Sequence, residues 1–383
     1  MVNEILIDGK VYKLECIWKK NKLDNSKDMK GNPYPYPTQG TAWAGQYQLI
    51  DRLYEVEDYL KNNNKYIELD EKKCMDCILC KEQCIITIRY NIGQFIWDDG
   101  LTHYIKVHNI KPSSEFIDKI FNYIILKQQD IPIKLLGRVT STENTGYLKL
   151  EKNQIMIIDA LMKHGGYNKK YYDSKKRNIT RYSEHAGFLD IRNDKLHNII
   201  ISGNTLRVDR GDNDIFLPSN IIDAYYYEYI FHTHPPTPKP GGRATDGILY
   251  EFPSPGDIFH FIDHFNDGQT VGSLVMTPEG LYNIIKNSYY RKKIEINEDS
   301  FYKDIRNAIK ESQESAINKY GTQFTSYIFY SKISQDMTFI NIINNTLNQY
   351  QLNIDFYPRV KDFRGSWIVD TIYIPIYNKK NEK

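Results

Sequence analysis

The sequence predicts an α+β protein of more than one domain, and three observations carry that expectation. Aromatic and β-branched runs such as Tyr225 to Phe231 read as strands, whereas Leu150 to Lys163 and Phe301 to Tyr320 have the apolar spacing of amphipathic helices. Four of the 5 cysteines cluster as Cys74, Cys77, Cys80 and Cys84, a small-module pattern set apart from the strand-rich middle. A chain of 383 residues is also longer than one typical domain.

Taken in order, residues 1–70 read as an N-terminal extension, with an extended Asn32 to Pro37 stretch and an amphipathic helix over Gln46 to Leu60. Residues 71–130 read as a Cys/His metal-binding module. It has strand-like Ile85 to Ile96, then a helical region from Leu101 to Ile120 broken near Pro112. Residues 131–295 hold the helix at Leu150, strands over Glu184 to Ile191 and Ile199 to Arg207, and strands and connections over Asp214 to Tyr229. A further strand runs from Gly272 to Tyr282. Residues 296–383 form an α/β C-terminal extension that ends in the alternating run Trp367 to Pro375, expected to extend or edge the central sheet.

Lys and Arg number 50 and Asp and Glu 48, a net charge of +2, which argues against a dedicated nucleic-acid binder with its basic stripe. Met1 to Ile5 has neither a basic region nor a long apolar run, and no segment reaches bilayer-spanning length. The expectation is an intracellular protein, cytoplasmic or nuclear, without membrane association. Abundant Tyr, Ile, Asn and Lys fit an AT-rich source such as a large DNA virus.

The residues with most chemistry are Phe231-His232-Thr233-His234-Pro235 and, further on, Ser254-Pro255-Gly256-Asp257. Side chains two apart on a strand share a face, so His232 and His234 can grip one ion. Ser254 and Pro255 open a helix, whose first turn carries Asp257 as a third, anionic ligand. Two imidazoles and one carboxylate leave a fourth tetrahedral position open, the catalytic type of zinc site. Taken singly, His-x-His is often two polar residues on a solvated face, and Ser-x-x-Asp an ordinary capping box.

In combination these motifs resemble the JAMM (JAB, MPN-plus) zinc metalloproteases. The resemblance extends to Glu184, ahead of Ala186-Gly187-Phe188, and to Gly272 to Tyr282, and covers the central part of the chain only. It implies a JAMM-like mixed β-sheet flanked by helices, with His232, His234 and Asp257 as metal ligands. Glu184 is then the general base and Ser254 the oxyanion donor. The implied reaction is hydrolysis of peptide or isopeptide bonds, with a protein substrate such as a ubiquitin or ubiquitin-like conjugate. A non-catalytic MPN-like scaffold and a zinc hydrolase of small amides are the alternatives. The departure from the family is Pro236 to Phe252, a Pro/Gly-rich insertion able to gate the site. It carries Asp246, a rival acidic ligand set aside because a helix's first turn fixes a ligand better than a loop. Glu228, four residues before His232, lies too far along the strand to be the base. His260 and His264 could form a second metal face but more simply belong to an amphipathic helix.

The cysteines admit three readings. Cys77 and Cys80 with His103 and His108 would make a Cys₂His₂ structural zinc site, with Cys74 or Cys84 able to substitute for a ligand. The run C-x2-C-x2-C-x3-C also matches half of a ferredoxin pattern, but Ile85 follows where that pattern has Pro. In the third, the thiols are buried and metal-free. The zinc reading is preferred, as a structural element alongside the catalytic zinc; no organic cofactor is expected.

Overall fold

The structure, a computed structural model, describes residues 3–7, 9–19, 23–68, 74–123, 145–165, 169–172, 178–192, 195–208, 225–236, 239–287 and 293–377. The chain divides into two compact units, Met1–Ile131 and Pro132–Lys383. The first unit joins the 1–70 and 71–130 segments in one sheet.

In the first unit, β1 (Asn3–Ile7), β2 (Lys10–Leu14), β3 (Tyr66–Glu68), β4 (Ile88–Ile92) and β5 (Phe95–Asp98) form a sheet in the order β1-β2-β5-β4-β3. The supposed N-terminal extension therefore flanks the β4–β5 hairpin on both sides. Helix α1 (Gln46–Asn62) buries Leu49, Leu53, Val56 and Leu60, a 3–4 residue spacing that puts one apolar stripe inward. Helices α2 (Leu101–His108) and α3 (Ser114–Phe121) straddle Pro112, as the sequence predicts. α2 ends on left-handed Asn109, and Ser113 caps α3 by accepting the Phe116 amide.

The second unit is built on a mixed sheet. Its strands are β6 (Thr145–Leu150), β7 (Lys169–Tyr172), β8 (Asn178–Arg192), β9 (Lys195–Val208), β10 (Tyr229–Thr233), β11 (Gly272–Met276), β12 (Gly280–Lys286), β13 (Leu352–Pro358), β14 (Val360–Lys361), β15 (Trp367–Ile368) and β16 (Ile372–Tyr377). The main sheet runs β13-β12-β11-β10-β8-β7, with β9 also paired to β8. β10 and β11 are parallel, which requires a crossover. The helix between them supplies it, and its first turn arrives beside the C-terminal end of β10. The longer helices among the described residues here are α4 (Lys152–Gly165), α5 (Pro255–Asp267), α6 (Glu298–Tyr320) and α7 (Thr338–Leu347). α5, α6 and α7 pack Ile258, Phe261, Phe301, Ile305, Ile340 and Ile343 into one core with Val275, Tyr282 and Ile284 of the sheet. By strand alternation Val275 and Tyr282 share a face with His232, so these helices cover the histidine face.

Three expectations are corrected. Gly272 to Tyr282 is two strands joined at Thr277–Glu279, since Pro278 cannot extend a central strand. The Tyr225 strand begins only at Tyr229. The C-terminal strand does not edge the main sheet: β16 pairs with β6 as a separate two-stranded sheet, and β13, on the far side of α7, occupies the edge. Much of the reading over Asp214 to Tyr229 falls on 209–224, outside the described residues.

Candidate functional site

The site forms where β8, β10 and the start of α5 meet. Ala186 of β8 lies opposite His232 of β10, and the register carried two residues further sets Glu184 alongside His234. Directly opposed residues share a face, so Glu184, His232 and His234 face the same side of the sheet. The Thr233 hydroxyl oxygen accepts the His185 amide at 3.0 Å, holding that register. His234 lies past the end of β10, yet its amide donates to Met276 O of β11 at 2.8 Å. The small residues of β8 also have a reason: a Cβ on Gly187 would stand 2.6 Å from the Phe231 ring.

Ser254 is the N-cap of α5 in a full capping box. Its Oγ accepts the Asp257 amide at 3.2 Å, and Asp257 Oδ2 accepts the Ser254 amide at 2.6 Å. The cap is therefore real, and it also aims the carboxylate. Asp257 Oδ1 lies 3.2 Å from His232 Nε2, Oδ2 lies 3.4 Å from His234 Nε2, and the two Nε2 atoms are 3.2 Å apart. Zinc–ligand bonds of about 2.0–2.1 Å in a tetrahedron require ligand separations of roughly 3.3–3.4 Å, close to those seen. His234 Nδ1 lies 3.1 Å from the Glu251 carbonyl oxygen, so Nδ1 is the donor and Nε2 presents a lone pair to the centre. Burial works to raise the Asp257 pKa, but His232 and His234 hold it well below the usual carboxylate range. Glu184, His232, His234 and Asp257 are all buried, and Ser254 is exposed at the rim. The donor set fits a divalent cation.

Asp246 ends a 3-10 turn (Ala244–Asp246), is exposed, and stands outside the ligand group. Glu228 precedes β10, at the end opposite His234. His260 and His264 touch at 3.1 Å through Nε2, and Tyr225 stacks on His264. Burial, with His264 adjacent, depresses His260 to about 3, and burial depresses His264 to about 4. Among the described residues no further acid or thiol joins them in a three-ligand group. The inserted segment is anchored rather than loose at its C-terminal end: Gln313 of α6 bonds the Leu249 and Tyr250 amides and the Tyr250 carbonyl.

The first unit holds a second cluster. Cys77 Sγ lies 3.2 Å from His108 Nε2, and Cys80 Sγ 3.3 Å from His103 Nε2. The four ligand atoms all lie within 4.8 Å of one another. Each histidine's Nδ1 faces an oxygen, Gln39 Oε1 at 2.9 Å for His108 and Glu82 Oε2 at 3.3 Å for His103. Both imidazoles thus turn Nε2 toward the thiols, as metal ligands do. Gly40 brings Gln39 there, since a Cβ on it would sit 2.3 Å from Asn109 O. Cys74 and Cys84, expected as substitute ligands, are instead joined to each other as a disulfide. Pairing of Met75 with Ile86 closes the loop and brings the Cα atoms of Cys74 and Cys84 to 5.0 Å. That bond removes two thiolates from the four-cysteine iron–sulfur reading. It leaves Cys77 and Cys80, the two preferred thiol ligands, free of any disulfide.

Sequence reasoning missed Gln39, Glu82, Thr233 and Glu251. Gln39 stands 69 residues from His108, and Glu251 acts through its backbone, so no spacing signal marks either.

No family model matches the chain, and no solved structure matches it. An uncharacterized protein of Acanthamoeba polyphaga mimivirus is 33% identical over 303 residues, covering 77% of this chain and 84% of that protein. The chain belongs to that protein's family. The matched share exceeds the larger compact unit, so the family relation reaches into both units. Among the described residues, no helix is long and apolar enough to cross a membrane.

Proposed function

We propose that this protein is a JAMM-like, zinc-dependent hydrolase of peptide or isopeptide bonds, acting on a protein substrate such as a ubiquitin or ubiquitin-like conjugate. The observation that carries the reading is the meeting of His232, His234 and Asp257 from two distant segments, on the sheet face shared by Glu184. His232, His234 and Asp257 would hold the ion. When bound, it would supply Lewis-acid polarisation of the scissile carbonyl and acidify water.

The protein's own groups do the rest. Glu184, buried on the histidine face, takes the proton from the attacking water and delivers it to the leaving amine. The Ser254 hydroxyl oxygen already accepts the Asp257 amide, which leaves its hydrogen to donate to the developing oxyanion. The Glu251 carbonyl keeps His234 in the tautomer that presents Nε2. The Cys77, Cys80, His103 and His108 set has four protein ligands and no open position, so it is structural and takes the second zinc.

The test is cleavage of ubiquitin chains and of small amides by wild type and by Glu184→Gln. Chain cleavage that falls about 100-fold or more in the variant, with the metal retained, supports the reading. Cleavage of small amides alone would favour the amidase alternative. Equal, measurable rates in the two proteins would remove Glu184 from the reaction, and no turnover by either would favour a non-catalytic scaffold.

A further inference from the structure

The His234 imidazole is held by a chain of contacts that leads away from the centre to a wholly buried carboxyl group. His234 Nδ1 donates to the Glu251 carbonyl. On the other side of that residue's Cα, the Glu251 amide donates to Glu279 Oε1 at 2.7 Å. The Tyr282 hydroxyl donates to the same Glu279 oxygen at 3.0 Å. Glu279 and Tyr282 are both 0% exposed.

A carboxyl group in that position is costly to bury, and the backbone of the turn it sits in is also closed by other groups. The β11–β12 connection is closed by Thr277 and Gly280. The Thr277 amide donates to Gly280 O at 2.9 Å, and the Gly280 amide to Thr277 Oγ1 at 3.3 Å. The Glu279 carboxyl group interacts with its own amide and with Thr277, and through Oε1 it also crosses to the inserted segment. The Glu251 carboxylate is occupied elsewhere, by Arg243. The contact with Glu279 therefore runs through the Glu251 backbone, the same peptide chain that presents the carbonyl to His234.

We propose that Glu279 is a positioning residue for the His232–His234–Asp257 centre, fixing His234 through the Glu251 backbone. The proposal rests on the reading of that centre as a metal site. It assigns a role to the end of the Pro236 to Phe252 insertion: a support for a ligand histidine, locked by one buried acid. Burial, with the Glu251 charge adding to it, raises the Glu279 pKa to about 7; its Oε1 can accept the Glu251 amide in either protonation state.

The experiment is titration of metal-free full-length protein with Co²⁺, read by visible absorption. The spectrum of a His232→Ala/His234→Ala protein is subtracted, so that the thiolate-bearing Cys77/Cys80 cluster cancels. Glu279→Leu should bind at least about 10-fold more weakly with shifted bands, the usual scale for losing an outer support of a ligand. Glu279→Gln keeps an acceptor oxygen and should restore affinity to within about 3-fold of wild type. Tyr282→Phe removes only the hydroxyl and should shift affinity and bands in the same direction by less. If Glu279→Leu does not fold, Tyr282→Phe decides. Wild-type affinity and bands in Tyr282→Phe and in any folded Glu279→Leu protein would overturn the proposal. Wild type that shows no Co²⁺ signal dependent on His232 and His234 would instead overturn the metal reading, and the proposal with it.

Discussion

Single residues in this protein show how burial is tolerated when a partner is placed for it. Glu57 of α1 is buried and accepts the Trp97 Nε1 hydrogen at 2.9 Å. Burial raises its pKa to about 8 against the opposing effect of the Trp97 bond. The folded value lies above the unfolded value of 4.5, so between the two the native state holds a proton that the unfolded chain has released. Stability from this group is therefore complete below about pH 4.5 and is lost as pH rises toward 8. Glu57→Gln keeps the shape and removes the titration. In denaturant melts the variant should gain on wild type, by on the order of 3 kcal/mol, between pH 5 and pH 8. Parallel pH profiles for the two proteins would refute this. The same scale shows what was legible in the sequence. His232, His234 and Asp257 could be read because strand alternation and a helix N-cap are local rules. Gln39, Glu251 and Glu279 could not, because their contacts depend on chain segments brought together only by folding.

At the scale of elements, the β10–α5–β11 crossover places the site. A parallel pair obliges the chain to return through a helix, and the helix N-terminus comes back to the strand end that bears the histidines. The sequence announced this unit through aromatic runs and the Ser254-Pro255 start. It did not announce β13, an ordinary apolar run whose place at the sheet edge is set by α6 and α7 folding over the core. On the opposite face of the sheet, α4 is bound to the β11–β12 turn through Arg359. That residue is 1% exposed, meets Asp159 at 2.5 Å, and donates to the Pro278 and Thr277 carbonyls at 2.6 and 2.8 Å. Burial works to raise the Asp159 pKa, and the Arg359 guanidinium overrides it and lowers it. Arg359→Met should cost about 3 kcal/mol or more in a denaturant titration, because it leaves two buried carbonyls without donors and Asp159 with Lys163 alone. A loss below about 1 kcal/mol would mean that the turn and α4 do not depend on this residue.

At the scale of the whole molecule, two compact units each bring together a group of side chains able to hold a metal ion. The candidate catalytic group lies in the second unit and the four-ligand group in the first. The sequence placed each group in its own region but divided the chain into four segments. The reason is that residues 1–70 and 71–130 share a sheet whose strands interleave in space and not in sequence. The single disulfide was hidden for a related reason: four cysteines at metal-like spacing do not reveal which two the Met75–Ile86 pairing will bring face to face. The most direct test of the account is the metal content of purified protein by elemental mass spectrometry. Wild type would be run beside His232→Ala/His234→Ala and Cys77→Ser/Cys80→Ser. Wild type should carry two zinc ions per chain, and each variant should lose one. A His232→Ala/His234→Ala protein that keeps all the metal of wild type would contradict this.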